Sequence, residues 1–295
     1  MILLNDYLKN RFGCKVYKIA LNAGFTCPNR DGKIDTRGCI FCSEGGSGEF
    51  AGDVKQSINE QINEGKKKLV SKITDGKFIA YFQAYTNTYG DRETLRRLYT
   101  EAIRHPDIVA LSVATRPDCL QPFVLDILEE YNSIKPVWVE FGLQTIHPDT
   151  ADYIRRGYSL DVYDRAVSEL KKRGIEVITH VILGLPGENE KEMKETVRYV
   201  CDSGVNGIKL QLLHVLKGTD LEKEYLEGKI KVLSEDEYIH ILKECVSIIP
   251  DNVVIHRLTG DGDKKILVAP LWSGDKKHVW NRIQKEVLYY LGNIS

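Results

Sequence analysis

The sequence lacks a long apolar run. No stretch of its 295 residues approaches the roughly 18 that a spanning helix needs, which excludes a membrane span. The amino end, MILLNDYLKNRFG, has no basic head, extended apolar centre or small-residue cleavage site, so no secretory signal is read and a cytoplasmic protein is expected. Excess charge of either sign is also missing. A formal net charge of -1 excludes a uniformly basic nucleic-acid binder, and any such partner must meet a local patch. Seven cysteines in a chain of this length do not make a secreted disulfide scaffold. In a reducing compartment the clustered ones point to metal or catalytic use. A hydrophobic fraction of 42% is enough for a substantial core.

What is present is a cysteine cluster. Cys27, Cys39 and Cys42 fall in CPNRDGKIDTRGCIFC, two of them as C-x-x-C and the third across a loop carrying Gly32 and Gly38. Iron–sulfur clusters normally take four thiolates. Three can hold a [4Fe–4S] cube and leave one iron open, as catalytic zinc sites keep one position open. The adjoining Ser-Glu-Gly-Gly, residues 43–46, suggests a reactive site beside that iron. Cys14 reads as a partly buried free thiol, with a fourth-ligand role as the alternative. Cys119, Cys201 and Cys245 lie within structural patterns and read as core thiols.

The rest of the chain alternates strand and helix with the spacing of βα units. Apolar, β-rich runs occur at Val16–Asn22, Phe78–Gln83, Val109–Ala114, Val137–Leu143, Glu176–Leu183 and Gly207–Leu213. Near-continuous runs suit parallel strands buried on both faces. Amphipathic stretches intervene at Val54–Val70, Glu93–Arg104, Leu120–Tyr131, Leu160–Arg173 and Lys191–Ser203, with Gly174 and Gly204 placed to end helices. The expected fold is α/β: a partial (βα)6 TIM-like barrel with an N-terminal cluster loop. From Leu216 the rhythm changes. Two helices, a strand at Val253–Leu258 and a final helix are expected as an α+β cap, giving a division into residues 1–216 and 217–295. Parallel βα folds place chemistry at the carboxyl ends of strands. Here those ends carry the cysteine loop, Gln83 with Tyr85, Arg116 with Asp118, Glu140 with Gln144, His180, and Gln211 with His214. Six polar sets on one rim point to a shared site.

EFGLQT (140–145), RRGY (155–158) and THVILGLPGE (179–188), in this order after the cysteines, resemble the radical S-adenosylmethionine (SAM) superfamily across Val16 to Leu216. The eleven residues between Cys27 and Cys39 depart from the superfamily's commonest C-x-x-x-C-x-x-C. A long first gap occurs in the branch containing the elongator catalytic subunit. FQAYTNTY after the second strand is similar to a family of small bacterial radical-SAM proteins linked to modification of the tRNA wobble-uridine side chain. The resemblance implies that Cys27, Cys39 and Cys42 hold a [4Fe–4S] cluster whose open iron binds SAM. An external one-electron donor then drives reductive cleavage to a 5′-deoxyadenosyl radical that takes hydrogen from the substrate. It further implies cofactor contacts at Gly45 and Gly46 (methionine amine), Gln144 (ribose) and Arg156 (SAM carboxylate). Gln83, Glu140 and His180 are also candidate cofactor residues, although Glu140 can equally pair inside the barrel and His180 can equally be a satisfied core histidine. No residue is assigned to substrate catalysis.

For a tRNA partner the residues offer one candidate surface. Arg257, Lys264, Lys265, Lys276, Lys277, Arg282 and Lys285 interleave with Trp272 and Trp280, against Asp261, Asp263 and Asp275. Cations suit phosphates and aromatics suit splayed bases. No acetyltransferase domain is expected after the cap, so acetyl-coenzyme A chemistry does not carry over from the elongator subunit. Two alternatives stay open: the same chemistry on a peptide or small metabolite, and a non-enzymatic zinc or nucleic-acid-binding protein in which Cys14, Cys27, Cys39 and Cys42 form a closed four-thiolate site.

Overall fold

The computed structural model describes residues 1–69, 76–260 and 262–292. Val70, expected at the end of the first amphipathic helix, and Asp261, expected in the carboxyl-terminal patch, lie outside the described residues. A short strand β1 (Ile2–Leu3) and helix α1 (Leu4–Phe12) open the chain. The six expected strands follow: β2 (Val16–Leu21), β3 (Lys77–Phe82), β4 (Ile108–Thr115), β5 (Val137–Gln144), β6 (Glu176–Leu183) and β7 (Gly207–Leu212). Between them run α2 (Ile58–Leu69), α3 (Arg92–Arg104), α4 (Pro122–Asn132), a short α5 (Pro148–Tyr153), α6 (Leu160–Lys172) and α7 (Glu190–Asp202).

Local chemistry sets the helix ends. Asp91 accepts the Thr94 N–H ahead of α3, and Asn189 with Glu192 forms a reciprocal capping box ahead of α7. Gly174 and Gly204, at φ of 66° and 79°, follow the ends of α6 and α7 in the left-handed conformation that glycine adopts without strain.

The carboxyl-terminal part adds β8 (Val215–Leu216), α8 (Asp220–Leu226), α9 (Glu235–Ser247), β9 (Val254–Arg257), β10 (Leu267–Ala269) and α10 (Lys276–Arg282), which continues as a π-helical turn over Ile283–Leu288. Its central strand does not belong to a cap. β9 pairs in parallel with β7 on one side and β1 on the other, so the main sheet has eight strands in the order β1-β9-β7-β6-β5-β4-β3-β2. The cause is legible in packing: Ile255 is buried in the main core and pairs with Ile208 and Leu3. Strand pairs in this sheet are all parallel, and the sheet curls into a partial barrel.

Alternation along the strands splits their side chains into two sets. One set, including Phe82, Val113, Val139, Phe141, Val181 and Leu210, joins the helices in the main core. The other lines the barrel interior in layers. Val16, Ile79, Ala110, Trp138 and Ile178 form an apolar floor with Leu8 of α1. Two residues further along, Lys18, Tyr81, Ser112, Glu140 and His180 form a polar layer; another two on come Ala20, Gln83, Ala114, Gly142 and Ile182. Cys14 packs beside the floor, at the amino end of β2.

Because β9 contributes to the main core, Ile255→Ala should cost about 2–5 kcal/mol in urea unfolding. A loss under about 0.5 kcal/mol, the range of surface changes, would contradict its place in the sheet.

Candidate active site

A cavity of about 630 Å³ opens at the carboxyl ends of the strands, within the usual size range for small-molecule sites. Cys27, Cys39 and Cys42 line it, together with Gly46, Gln83, Glu140, Gln144, Arg156 and His180. The structure therefore gathers all but one of the expected cluster and cofactor residues around one space. Gly45 lies one residue outside that lining, on the same turn.

The cysteine loop has little regular structure, and other side chains hold it in place. Arg30 donates to the carbonyls of Cys42 at 2.7 Å and Ser43 at 2.5 Å. The Asn29 amide donates to the Arg155 carbonyl at 2.7 Å and reaches Cys39 Sγ at 3.6 Å. Arg116 is clamped by both oxygens of Asp118, at 2.8 and 2.9 Å, and donates to the Arg156 carbonyl at 2.9 Å. Ile40 packs in a small core with Ile154, Ile182 and Leu213, which seats the loop on the barrel. Arg30 and Asn29 escaped the sequence reading. Their signal was adjacency to Cys27 in CPNRDG, where a charged fork and an amide next to a ligand suggest loop bracing.

The thiols suit a metal cluster. Burial pushes the Cys39 thiol up to about 12, Cys42 adding to the shift and Arg116 opposing it. Burial likewise raises Cys42, against the pull of Arg30. Thiolates in such a place need a local cation, and iron bound to them would supply it. Among the described residues no three His, Cys, Asp or Glu side chains stand close enough to hold a single metal ion. Cys14 cannot complete a four-thiolate zinc site. It precedes β2, whereas the other three follow the far end of that six-residue strand, a separation of roughly 20 Å.

The turn at residues 43–48 lies flat on the end of β3. Gln83 Nε2 donates to the Ser47 carbonyl at 2.7 Å, Tyr85 N–H donates to the Gly46 carbonyl at 2.9 Å, and the Tyr85 hydroxyl donates to the Glu44 carbonyl. Gly46 has φ of 58°, and a Cβ there would enter the Tyr85 ring. Only glycine fits. Gln83 thus positions the turn as well as lining the cavity. Gln144, at the end of β5, has φ of 71°. Such strain in a non-glycine residue concentrates at functional sites. Its Oε1 is buried with no hydrogen-bond partner, which fits a polar ligand group. A Cβ at Gly142 would stand 2.7 Å from Gln144 Nε2, so a side chain there would displace that amide.

Arg156 is buried and already engaged. It donates to the carbonyls of Thr145 at 2.6 Å and Tyr158 at 3.0 Å, and it lies over the Tyr158 ring at 4.7 Å. It braces the Gln144 turn while lining the cavity. Glu140 is fully buried and paired inside the barrel, the role the sequence held open beside cofactor contact. Its Oε1 accepts from Lys18 at 2.5 Å and Ser112 at 2.6 Å; its Oε2 meets His180 Nε2 at 2.8 Å and accepts from Lys209. Burial acts to raise the Glu140 carboxyl, but Lys18, Lys209 and His180 hold it well below the carboxylate range. Burial and Lys209 push His180 down to about 4, against the pull of Glu140. Lys18 and Lys209 were missed in the sequence. Each sits at an inward position of an otherwise apolar strand, in step with Glu140 under period-two alternation.

The carboxyl-terminal patch divides. Trp272 packs on Tyr238 and donates to the Leu233 carbonyl at 3.1 Å, and Arg282 is bound to Asp236 and Glu286, each at 2.8 Å. Both are structural. Lys264, Lys265, Lys277, Lys285 and Trp280 are exposed, and Lys276 lies over the exposed Phe50 ring at 5.0 Å, both lining the cavity.

A parallel partial barrel with three thiols at its mouth defines a class, and comparison with known proteins agrees with it. The profile of the Radical SAM superfamily matches residues 32–200, and that of the Radical_SAM C-terminal domain matches residues 205–288. The uncharacterized protein YtqA of Bacillus subtilis is 45% identical over 284 residues, covering 96% of this chain and 88% of YtqA. The tRNA uridine(34) acetyltransferase of Methanocaldococcus jannaschii is 26% identical over 274 residues, covering 78% of this chain and 49% of that protein. Among solved structures, archaeal Methanocaldococcus infernus Elp3 shares the fold at a TM-score of 0.67 and 20% identity, over 92% of this chain and 63% of that one. The chain belongs to the radical SAM superfamily, whose enzymes use a [4Fe–4S] cluster and SAM. Among the described residues no helix is long and apolar enough to cross a membrane.

Two outcomes follow from this geometry. Anaerobically reconstituted Cys39→Ser should lose most of its bound iron and the broad absorbance near 400 nm; full retention of both would contradict the ligand assignment. His180 is held at about 4, below its ordinary value of about 6.5. Between those values the unfolded chain binds the extra proton, so stability should fall as pH drops through the window, by up to about 3 kcal/mol. His180→Gln should flatten that slope in denaturant titrations, and an unchanged slope would place the imidazole in a different environment.

Proposed function

We propose that this enzyme modifies the side chain of a tRNA wobble uridine by taking a hydrogen atom from it. The observation that carries the reading is the similarity to a protein named for acting on tRNA uridine 34. The cavity supports it, being large enough for a small polar ligand with an extruded base beside it. Lys276 and the exposed Phe50, both lining the cavity, suit a phosphate and a stacked base.

In this reading Cys27, Cys39 and Cys42 hold the cluster. Gly45 and Gly46 bring the backbone close to the methionine amine, Gln83 keeps their turn in place, and Gln144 Oε1 accepts from a ribose hydroxyl. Arg156 lies on the carboxylate side. When bound, cluster and SAM together supply the one-electron cleavage that yields the hydrogen-abstracting nucleoside radical. The chain's task is to orient SAM and substrate and to keep water away from them. Residues 217–295 form the substrate-facing part, a cytoplasmic setting provides the tRNA, and an external one-electron donor reduces the cluster.

The test pairs two measurements. Reconstituted enzyme given SAM and a chemical reductant should produce 5′-deoxyadenosine. Mass spectrometry of tRNA nucleosides from cells with and without the gene should show one wobble-uridine derivative accumulating at the expense of another. SAM cleavage with an unchanged nucleoside profile would overturn the tRNA substrate and favour a peptide or small metabolite.

A further inference from the structure

The polar layer inside the barrel sets two lysines against a single carboxylate. Lys18 from β2 and Lys209 from β7 converge on one carboxylate, Glu140 from β5. That carboxylate is saturated, because its two oxygens already serve Lys18, Ser112, Lys209 and His180. Among the described residues, the remaining groups of the layer bring no second anion. Tyr81 of β3 lies under both ammonium groups, with Lys18 Nζ 4.9 Å and Lys209 Nζ 4.7 Å from its ring centroid, and its hydroxyl is 3.3 Å from Lys209 Nζ. His256 of β9 is half-buried, its Nδ1 enclosed and unpartnered, and it is held well below its ordinary value by desolvation, with Lys18 and Lys209 adding to the shift. Among the described residues, the cavity's other carboxylates, Glu49 and Asp263, belong to the cysteine loop and the segment before β10.

These groups line the same cavity as the three thiols. They sit deeper, since Tyr81 and Lys209 precede the rim residues Gln83 and Gln211 by two positions, roughly 7 Å along a strand. A second ammonium beneath a reaction site, sharing one saturated carboxylate, is costly to keep charged unless a further anion joins it. The geometry points to a small-anion subsite, formed by Lys18 and Lys209 and oriented by Glu140 and Tyr81, that takes a carboxylate of the substrate. The lysines are there to hold the reacting group by its charged end while a neighbouring carbon faces the radical source above. Naming the ligand as a carboxylate on the uridine side chain rests on the proposed tRNA substrate; the subsite itself rests on the buried charges. Burial keeps the Lys209 ammonium down to about 7, even against Glu140. An arriving carboxylate should restore its proton, so binding should take up a proton and weaken as pH rises from 6 to 8.5.

The test uses reconstituted holoenzyme and two probes of one shape, acetate and acetamide, followed by calorimetry with and without saturating SAM. Acetate should bind in the millimolar range, about tenfold or more tighter than acetamide. That binding should persist with SAM present and drop about tenfold in Lys209→Met or Lys18→Met. Lys209→Arg should restore most of it. Equal binding of the two probes, unchanged acetate binding in both methionine variants, or loss of the wild-type pH dependence would overturn the subsite. Displacement of acetate by SAM would assign the lysines to the SAM carboxylate instead and overturn the substrate role. If the methionine variants do not fold, the wild-type comparison of acetate with acetamide and its pH dependence decide alone. No arm requires tRNA, so an acetate result against the subsite leaves the tRNA reading standing, and an unchanged tRNA profile leaves the acetate result standing.

Discussion

Three thiols must be held at one end of a barrel by a loop that has almost no secondary structure of its own. The rest of the site depends on that constraint. An irregular loop orders only if its backbone polar groups and side chains find partners elsewhere. Here they are found on the barrel: Asn29 and Arg116 tie the loop region to the backbone at residues 155–156, and Gln83 and Tyr85 tie the glycine turn to the end of β3. Arg30 reaches back across the loop to the carbonyls beside Cys42. The thiols are thereby fixed by residues outside the cysteine set, and among the described residues the non-glycine positions at positive φ, Ser47, Tyr85, Gln144 and Arg155, all lie at this rim.

The barrel beneath is organised by alternation. One face of each strand feeds the helical core, and the other builds an apolar floor, a charged middle layer and a polar rim. Helix α1 closes the floor through Leu8. The middle layer is the unusual part. A buried carboxylate with two lysines is poor material for stability, since desolvation opposes every charge in it. Its position between floor and radical source makes better sense as recognition than as architecture.

Much of this was legible in the sequence. Near-continuous apolar runs such as Val137–Leu143 suit doubly buried parallel strands, and the cysteine spacing with EFGLQT and LGLPGE marks the rim. Less was legible where the signal was short or distributed. The strand at Val254–Arg257 has four residues and follows two helices, so its order in the sheet is set by long-range packing of Ile255 rather than by local pattern. Lys18 and Lys209 look like solvent-facing breaks in strands until the curl of the sheet turns them inward. Trp272 and Arg282 stay open in the sequence between a nucleic-acid surface and packing, because composition cannot tell an exposed tryptophan from one packed on Tyr238, or a free arginine from one held by Asp236 and Glu286.

The central claim is that the three thiols leave one iron of the cluster open for SAM. Electron paramagnetic resonance of the reduced, reconstituted protein tests it most directly, with SAM carrying 17O in its carboxylate or 15N in its amine. The account predicts that SAM changes the cluster spectrum and that hyperfine coupling to the labelled atoms appears. A spectrum indifferent to SAM, with no coupling to either label, would mean that every iron is already ligated and would contradict the account.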